Sequence, residues 1–225
     1  MSIFAISDLH LPIGVKKPRD IFGKRWENYV YKIEENWKNT ITDEDFVIIP
    51  GDISWATYLE EAKADFDFIN KLPGTKIISK GNHDYWWETL TKLNKFKEEN
   101  GYDTIHFLHN NSFMIGDVAV CASRGWITPS DKDFKGDDDK IYKRELIRME
   151  LSIEDAKKRG AKEIIVAMHY PPYEGFLEIA ERFSAKWVLY GHLHSENAGS
   201  YNEISPSTQL VSCDYLSFLP KKIIL

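Results

Sequence analysis

Five short apolar runs in this chain stop on the same kinds of residue. Ile3 to Ser7 (IFAIS) runs into Asp8 and His10, and Phe46 to Pro50 (FVIIP) into Gly51-Asp52. Lys76 to Ser79 (KIIS) leads through Lys80-Gly81 to Asn82-His83-Asp84. Glu163 to Met168 (EIIVAM) meets His169, and Lys186 to Tyr190 (KWVLY) meets Gly191-His192-Leu193-His194. Runs this short and this rich in β-branched residues read as buried strands. In open α/β sheets, ligands bind outside the carboxyl ends of the strands, and all five ends here carry nitrogen or oxygen donors suited to metals.

Between the first three runs lie amphipathic stretches. Trp26 to Thr40 spaces Tyr29, Ile33 and Trp37 by four, Tyr58 to Leu72 puts Leu59, Ala62, Phe66 and Ile69 on one face, and Trp86 to Asn100 ends at Gly101. Strand, helix, strand, helix, strand predicts right-handed crossovers and a largely parallel sheet. Thr104 to Leu108, Ser112 to Ile115 and Val118 to Ala122 are so closely spaced that antiparallel pairing is expected, with Gly116-Asp117 as a tight turn. Asp138 to Arg159 reads as a long charged helix stopped by Gly160, and Gly199 to Leu225 as short strands. The expected architecture is α/β, a second sheet from the middle and tail packing on the first, all within one domain spanning 1–225.

Asp8 and His10 are two apart on what reads as extended chain, so both can face one side, and the same holds for His192 and His194. Together with Asp52, Asn82 and His169 they supply four imidazoles, two carboxylates and an amide oxygen. That set suits divalent transition metals and is too large for one zinc ion, which usually takes four ligands. Two divalent ions, two carboxylates and a hydroxide would leave the site near one positive charge, attractive to phosphate.

These blocks resemble the signature of the calcineurin-like metallophosphoesterases: Asp8-Leu9-His10, Gly51-Asp52, Gly81-Asn82-His83-Asp84, His169 and Gly191-His192-Leu193-His194. The resemblance implies a double β-sandwich flanked by helices, in four αββα layers. It implies that Asp8, His10, Asp52 and His194 hold one metal, and that Asp52, Asn82, His169 and His192 hold the other, with Asp52 shared. It implies phosphoester hydrolysis by a metal-bridging hydroxide, with His83 protonating the leaving group and Asp84 orienting His83. Mn²⁺ is the first choice of metal, with Fe or Zn as alternatives. A catalytically weak metal-binding scaffold for protein interaction and a mononuclear zinc hydrolase are the rival readings.

Composition narrows the partners. With 29 Lys and Arg against 35 Asp and Glu, the net charge is −6, which disfavours a nucleic-acid partner and leaves a small phosphorylated substrate, a nucleotide among the candidates, with phosphomonoester and phosphodiester both open. Oligomeric state is not legible. No signal peptide is evident, no apolar run approaches a membrane span, and the only cysteines, Cys121 and Cys213, read as free core thiols, so a cytoplasmic protein is expected. Arg124 is a candidate substrate ligand, by its capacity for bidentate phosphate contacts. Trp55, Trp86 and Trp126 are expected to pack in the core rather than line a cleft. Asp131 to Lys140 reads as a solvated loop and helix start, and Gly14 to Arg25 as a loop near the site. His106 and His109 lie outside the motifs.

Overall fold

The computed structural model describes residues 1–15, 23–194 and 204–225. Ten strands and five α-helices are found among them. In chain order these are β1 (Ile3–Ala5), α1 (Tyr29–Thr40), β2 (Phe46–Pro50), α2 (Lys63–Lys71), β3 (Thr75–Ser79), α3 (Leu90–Asn100), β4 (Ile105–Phe107), β5 (Ser112–Ile115), β6 (Val118–Ser123), α4 (Asp138–Lys158), β7 (Glu163–Met168), α5 (Gly175–Arg182), β8 (Trp187–Tyr190), β9 (Thr208–Leu210) and β10 (Lys221–Ile223). The first sheet has the order β10-β1-β2-β3-β4 and the second β5-β6-β7-β8-β9.

Alternation along the strands explains why their sequences are nearly all apolar. In β1, Ile3 and Ala5 point between the sheets, where they meet Ile48, Ile77, Val120, Ile165, Ala167 and Leu189. Phe4 points outward with Val47, Ile49 and Ile78, against Ile33 and Trp37 of α1, Phe66 and Ile69 of α2, and Leu93 of α3. The second sheet does the same. Cys121, Val166, Met168 and Val188 face outward onto Met149, Ile153 and Ala156 of α4 and Phe176 and Ile179 of α5. Helix layer, sheet, sheet and helix layer follow from strands with two buried faces.

The expected pairing of β4 and the expected placement of the tail are corrected, while the hairpin turn at Gly116-Asp117 is found. Strand β4 does not pair antiparallel with its sequence neighbours; it runs parallel to β3 with Lys76 opposite Ile105, so the chain changes sheets between β4 and β5. The hairpin is β5–β6 alone, with Ile115 opposite Val118 across Gly116-Asp117. The tail divides, β9 joining β8 in the second sheet and β10 lying antiparallel to β1 in the first. Residues 199–203 of the expected tail lie outside the described residues, as do 16–22 of the loop expected near the site. Helix α5 is not legible in the sequence, because Gly175 opens it and Pro171-Pro172 precede it. Helices α2 and α3 begin later than their apolar spacing suggests. Residues 58–62 form turns instead, and Thr89 caps α3 by accepting the N–H of Lys92.

Candidate metal centre

Strands β1, β2 and β3 of the first sheet and β7 and β8 of the second all end at one rim, and the donor residues follow them. Asp8 and His10 do not sit on extended chain. Asp8 (φ 58°), His10 (φ 45°), Asp52 (φ 53°) and His192 (φ 70°) all adopt the left-handed backbone region. For a residue with a side chain this costs about 1 kcal/mol or more each, and such outliers cluster at functional sites. Neighbouring backbone holds them there. The Asp8 N–H donates to the Gly51 carbonyl (3.1 Å), His10 to Asp52 (3.0 Å) and Leu11 to Ile53 (2.9 Å), so the first two ligand loops run side by side. The side chains converge because the chain turns sharply, not because it alternates.

The glycines of the motifs make room for the ligands. A Cβ on Gly81 would stand 2.1 Å from Asp52 Oδ1, and one on Gly191 would stand 2.3 Å from Asp8 Oδ2. No side chain fits at either position.

Two triads form, Asp8 with His10 and His194, and Asp8 with Asp52 and His169, each offering donor atoms within 4.8 Å of one another. Asp52 Oδ2 faces both groups, 3.7 Å from His10 Nε2 and 3.3 Å from His169 Nε2. Asn82 Oδ1 lies 2.6 Å from His169 Nε2 and 3.0 Å from His192 Nδ1. All seven expected metal ligands are thus brought together.

The surroundings fix each donor. His169 Nδ1 lies 3.0 Å from the Pro50 carbonyl, which orients the ring and leaves Nε2 for the cluster. The Asp8 carboxylate accepts from Ser7 Oγ (2.5 Å), Ser212 Oγ (3.0 Å) and the His192 N–H (3.1 Å). His194 Nδ1 lies 3.1 Å from Asp214 Oδ1, the carboxylate–imidazole pairing common behind metal ligands. Arg25 in turn donates to the Asp214 carbonyl at 2.6 Å. Sequence reading misses Asp214, though it follows the apolar stretch QLVSC just as Asp8 follows IFAIS, and the same rule applied to the last strand would find it.

Electrostatics show which charge the cluster favours. Burial raises the Asp8 pKa, opposed by His169 and reinforced by Asp52. Burial also acts to raise Asp52, but His169 beside it outweighs that and holds it low. Burial, and then nearby imidazoles against the pull of Asp52, push His10 down to about 3; burial and His169 push His192 down to about 3. Burial opposes protonation of His169 too, yet Asp52 and Asp8 lift it to about 9. The carboxylates therefore draw a positive charge to the place where the lone pairs of His10, His192 and Asn82 also converge. Divalent cations satisfy both demands, and this donor set fits them.

His83 stands at the edge of the cluster, half-buried, its ring 5.7 Å from that of His10 and 5.4 Å from Trp55. Asp84 does not hydrogen-bond His83. It is fully buried and accepts the N–H groups of Asp52, Ile53 and Gly81 (2.8 Å each), with Ser54 at 3.4 Å and the Trp86 indole at 3.0 Å. Its expected role in orienting His83 is corrected on this geometry: Asp84 staples the Asp52 loop to the Asn82 loop. Burial and then Asp52 push its pKa up to about 7, but every one of those partners is a donor, so the arrangement is built for the ionised carboxylate.

The Arg124 side chain turns away from the ligand cluster, toward Trp126 and Glu145. Its guanidinium lies over Trp126 (4.4 Å) and 3.7 Å from Glu145, while its backbone carbonyl accepts the N–H groups of His169 and Tyr170. Trp86 is in the core as expected. Trp126 packs against the second sheet's outer core as expected and meets Tyr170 (5.2 Å), whose ring is tilted over His192 (4.3 Å), whereas Trp55 stacks on His10 (4.6 Å). These two rings buttress the ligands from outside.

The sequence matches the calcineurin-like phosphoesterase family over residues 1–196, so the chain belongs to that family of metal-dependent hydrolases of phosphoesters. No curated protein matches it. Among solved structures, TT1561 of Thermus thermophilus is similar with a TM-score of 0.57 at 13% identity, covering 98% of this chain and 97% of that one. A protein of unknown function from Aquifex aeolicus, AQ665, is similar with a TM-score of 0.51 at 16% identity, covering 98% and 95%. At such identities these likenesses speak for the fold, which is the αββα arrangement described above.

Proposed function

We propose that this protein is a two-metal phosphoesterase acting on a small phosphorylated compound. The observation that carries this reading is the pair of triads sharing Asp8, with Asp52 Oδ2 facing the imidazoles of both. Asp8, His10, Asp52 and His194 would hold one ion, and Asp52, Asn82, His169 and His192 the other. Such a pair supplies an activated water near neutral pH and charge to offset the phosphoryl oxygens.

The chain does the rest. Asp84 and the backbone bonds between residues 8–11 and 51–53 fix the ligand loops. Pro50 and Asp214 set which nitrogen of His169 and His194 faces the cluster. His83, at the edge, is placed to give a proton to the departing oxygen, and its backbone N–H donates to Asp52 Oδ1 at 2.8 Å, tying its position to the shared ligand. Among the described residues no helix is long and apolar enough to cross a membrane. The two buried free thiols, Cys121 and Cys213, support a cytoplasmic setting.

The test is hydrolysis of p-nitrophenyl phosphate and bis-p-nitrophenyl phosphate by metal-stripped protein reloaded with Mn²⁺, Fe²⁺ or Zn²⁺, with bound metal counted alongside. Two ions per chain and turnover of either ester are expected. One ion per chain with full activity would establish the mononuclear reading. Two ions with no hydrolysis of any phosphoester would favour the scaffold. His83→Ala should keep both ions and lose far more turnover on alkyl esters than on p-nitrophenyl esters, whose leaving group needs no proton. Equal losses on both would remove His83 from the acid role.

A further inference from the structure

One strand along the same rim from the ligand cluster, the ends of β3, β4 and β6 enclose a second cavity, closed over by α4. Its volume is small, about 20 Å³, and one side opens to solvent. Its lining is cationic. Lys80 follows β3, Arg124 follows β6, and Arg148 comes from α4, with Glu145 as the one carboxylate among them. Glu145 is shared widely. Arg148 donates to it at 2.7 Å, Arg124 stands 3.7 Å away, and the more exposed Arg144 stands 3.8 Å away. Lys80 has no hydrogen bond or ion pair among the described residues.

Two donors here are unspent. Ser79 is 3% exposed, and its Oγ has no hydrogen-bond partner among the described residues; nor does the buried Nε of Arg124. Both line the cavity. A buried hydroxyl and a buried guanidinium N–H without acceptors are costly to leave unsatisfied. Their donors, two cations beyond what Glu145 neutralises, and a small volume together describe a receptor for one oxyanion.

We propose that this cavity binds a second phosphate group of the substrate, held by Lys80, Arg124, Arg148 and Ser79 while the reacting ester lies at the metal cluster. The cavity is too confined for a nucleobase. The two sites share the loop from Lys80 to Asn82, and neighbouring strands are about 4.7–4.9 Å apart. The two phosphates should therefore be separated by roughly 5–10 Å, one to two strand spacings. The substrate class is a compact bisphosphorylated metabolite rather than a simple monoester. This deepens the phosphoesterase reading and rests on it for the reacting group only.

The experiment has two arms. In the first, metal-stripped wild-type chain and Arg148→Gln are titrated with inorganic phosphate, followed by heteronuclear NMR. Shifts at Ser79, Lys80 and Arg124 are expected, with affinity falling about tenfold in the variant. Equal affinity, or shifts elsewhere only, would overturn the site. In the second, metal-loaded protein is given an alkyl monophosphate and α,ω-alkanediol bisphosphates of two to five carbons. The bisphosphates should show a KM about tenfold lower, and the ratio of bisphosphate to monophosphate kcat/KM should collapse in Arg148→Gln. Phosphate binding in the cavity without that advantage would overturn the substrate assignment and leave free phosphate as the occupant. If Arg148→Gln folds poorly, Lys80→Gln serves in both arms. Should no ester be hydrolysed, the proposed reaction fails, and the first arm still decides the pocket.

Discussion

The rim where the two sheets end carries two regions of opposite demand. At one, Asp8 and Asp52 are buried with His10 and His169 beside the half-buried His192, His194 and Asn82, and they draw in positive charge. At the other, Lys80, Arg124 and Arg148 surround Glu145, and they draw in negative charge. The strands deliver both sets in the same way, by stopping at one level. What differs is how the groups are held. The acidic donors sit on short side chains at strained backbone positions, packed against glycines with no space to spare. The basic groups are long side chains reaching from strand ends and a helix, with rotamer freedom left to lose. The first region should therefore fail abruptly when one atom changes, and the second should respond by degrees.

The largest effect is expected for Asp52→Asn. The replacement keeps shape but removes the charge that faces His10 and His169, so metal content should fall and turnover should drop on the order of a thousandfold or more. Metal analysis beside phosphate release checks it, and a variant that keeps two ions and wild-type turnover would deny Asp52 its shared position. Gly81→Ala comes next. One methyl group would lie 2.1 Å from Asp52 Oδ1 and 2.3 Å from Asp52 N, so the loop must move. Destabilisation of about 1–3 kcal/mol and weakened metal binding are expected, read by denaturant melts with and without metal. An alanine tolerated in both would show the acidic region to be softer than its backbone implies.

A smaller loss tests the surroundings rather than the ligands. Asp214→Asn keeps an oxygen near His194 Nδ1 and removes the charge, so metal affinity should weaken by about 10–100-fold, measured by competition with a chelator, while the fold persists. No change would mean that the 3.1 Å contact orients nothing.

Asp214 also marks where the sequence stops being legible. Every expected ligand reaches the cluster because strand ends share a rim, and that rule is local: an apolar run, then a donor. The one role that fails, Asp84 orienting His83, depends on which way a buried carboxylate turns among the N–H groups of two loops. Nothing in the spacing of Asn82-His83-Asp84 encodes that. The pairing expected for β4 fails for a related reason. Three residues, Ile105-His106-Phe107, carry no mark of which sheet they join, and the answer lies in a parallel register with β3, distant in sequence. The basic cavity is invisible for the same cause, since Lys80, Arg124 and Arg148 come from three separate segments and only Arg124 stands out alone.

The smallest predicted effect runs in the opposite direction. Glu145 is 1% exposed and neutralises part of the charge of Arg124, Arg144 and Arg148. Glu145→Gln keeps one oxygen for the Arg148 N–H and turns its NH2 toward Ser123 Oγ, a hydroxyl that can accept, so the cavity should hold its shape with one more net positive charge. Phosphate should then bind about two- to fivefold more tightly, the gain shrinking as salt rises, because solvent reaches the cavity and screens it. The same carboxylate-to-amide change at Asp52 should cost the acidic region nearly everything. If phosphate affinity at the cavity is unchanged or falls in Glu145→Gln at low salt, then Glu145 assembles the cations rather than titrating their charge, and the basic region would be as intolerant of change as the acidic one.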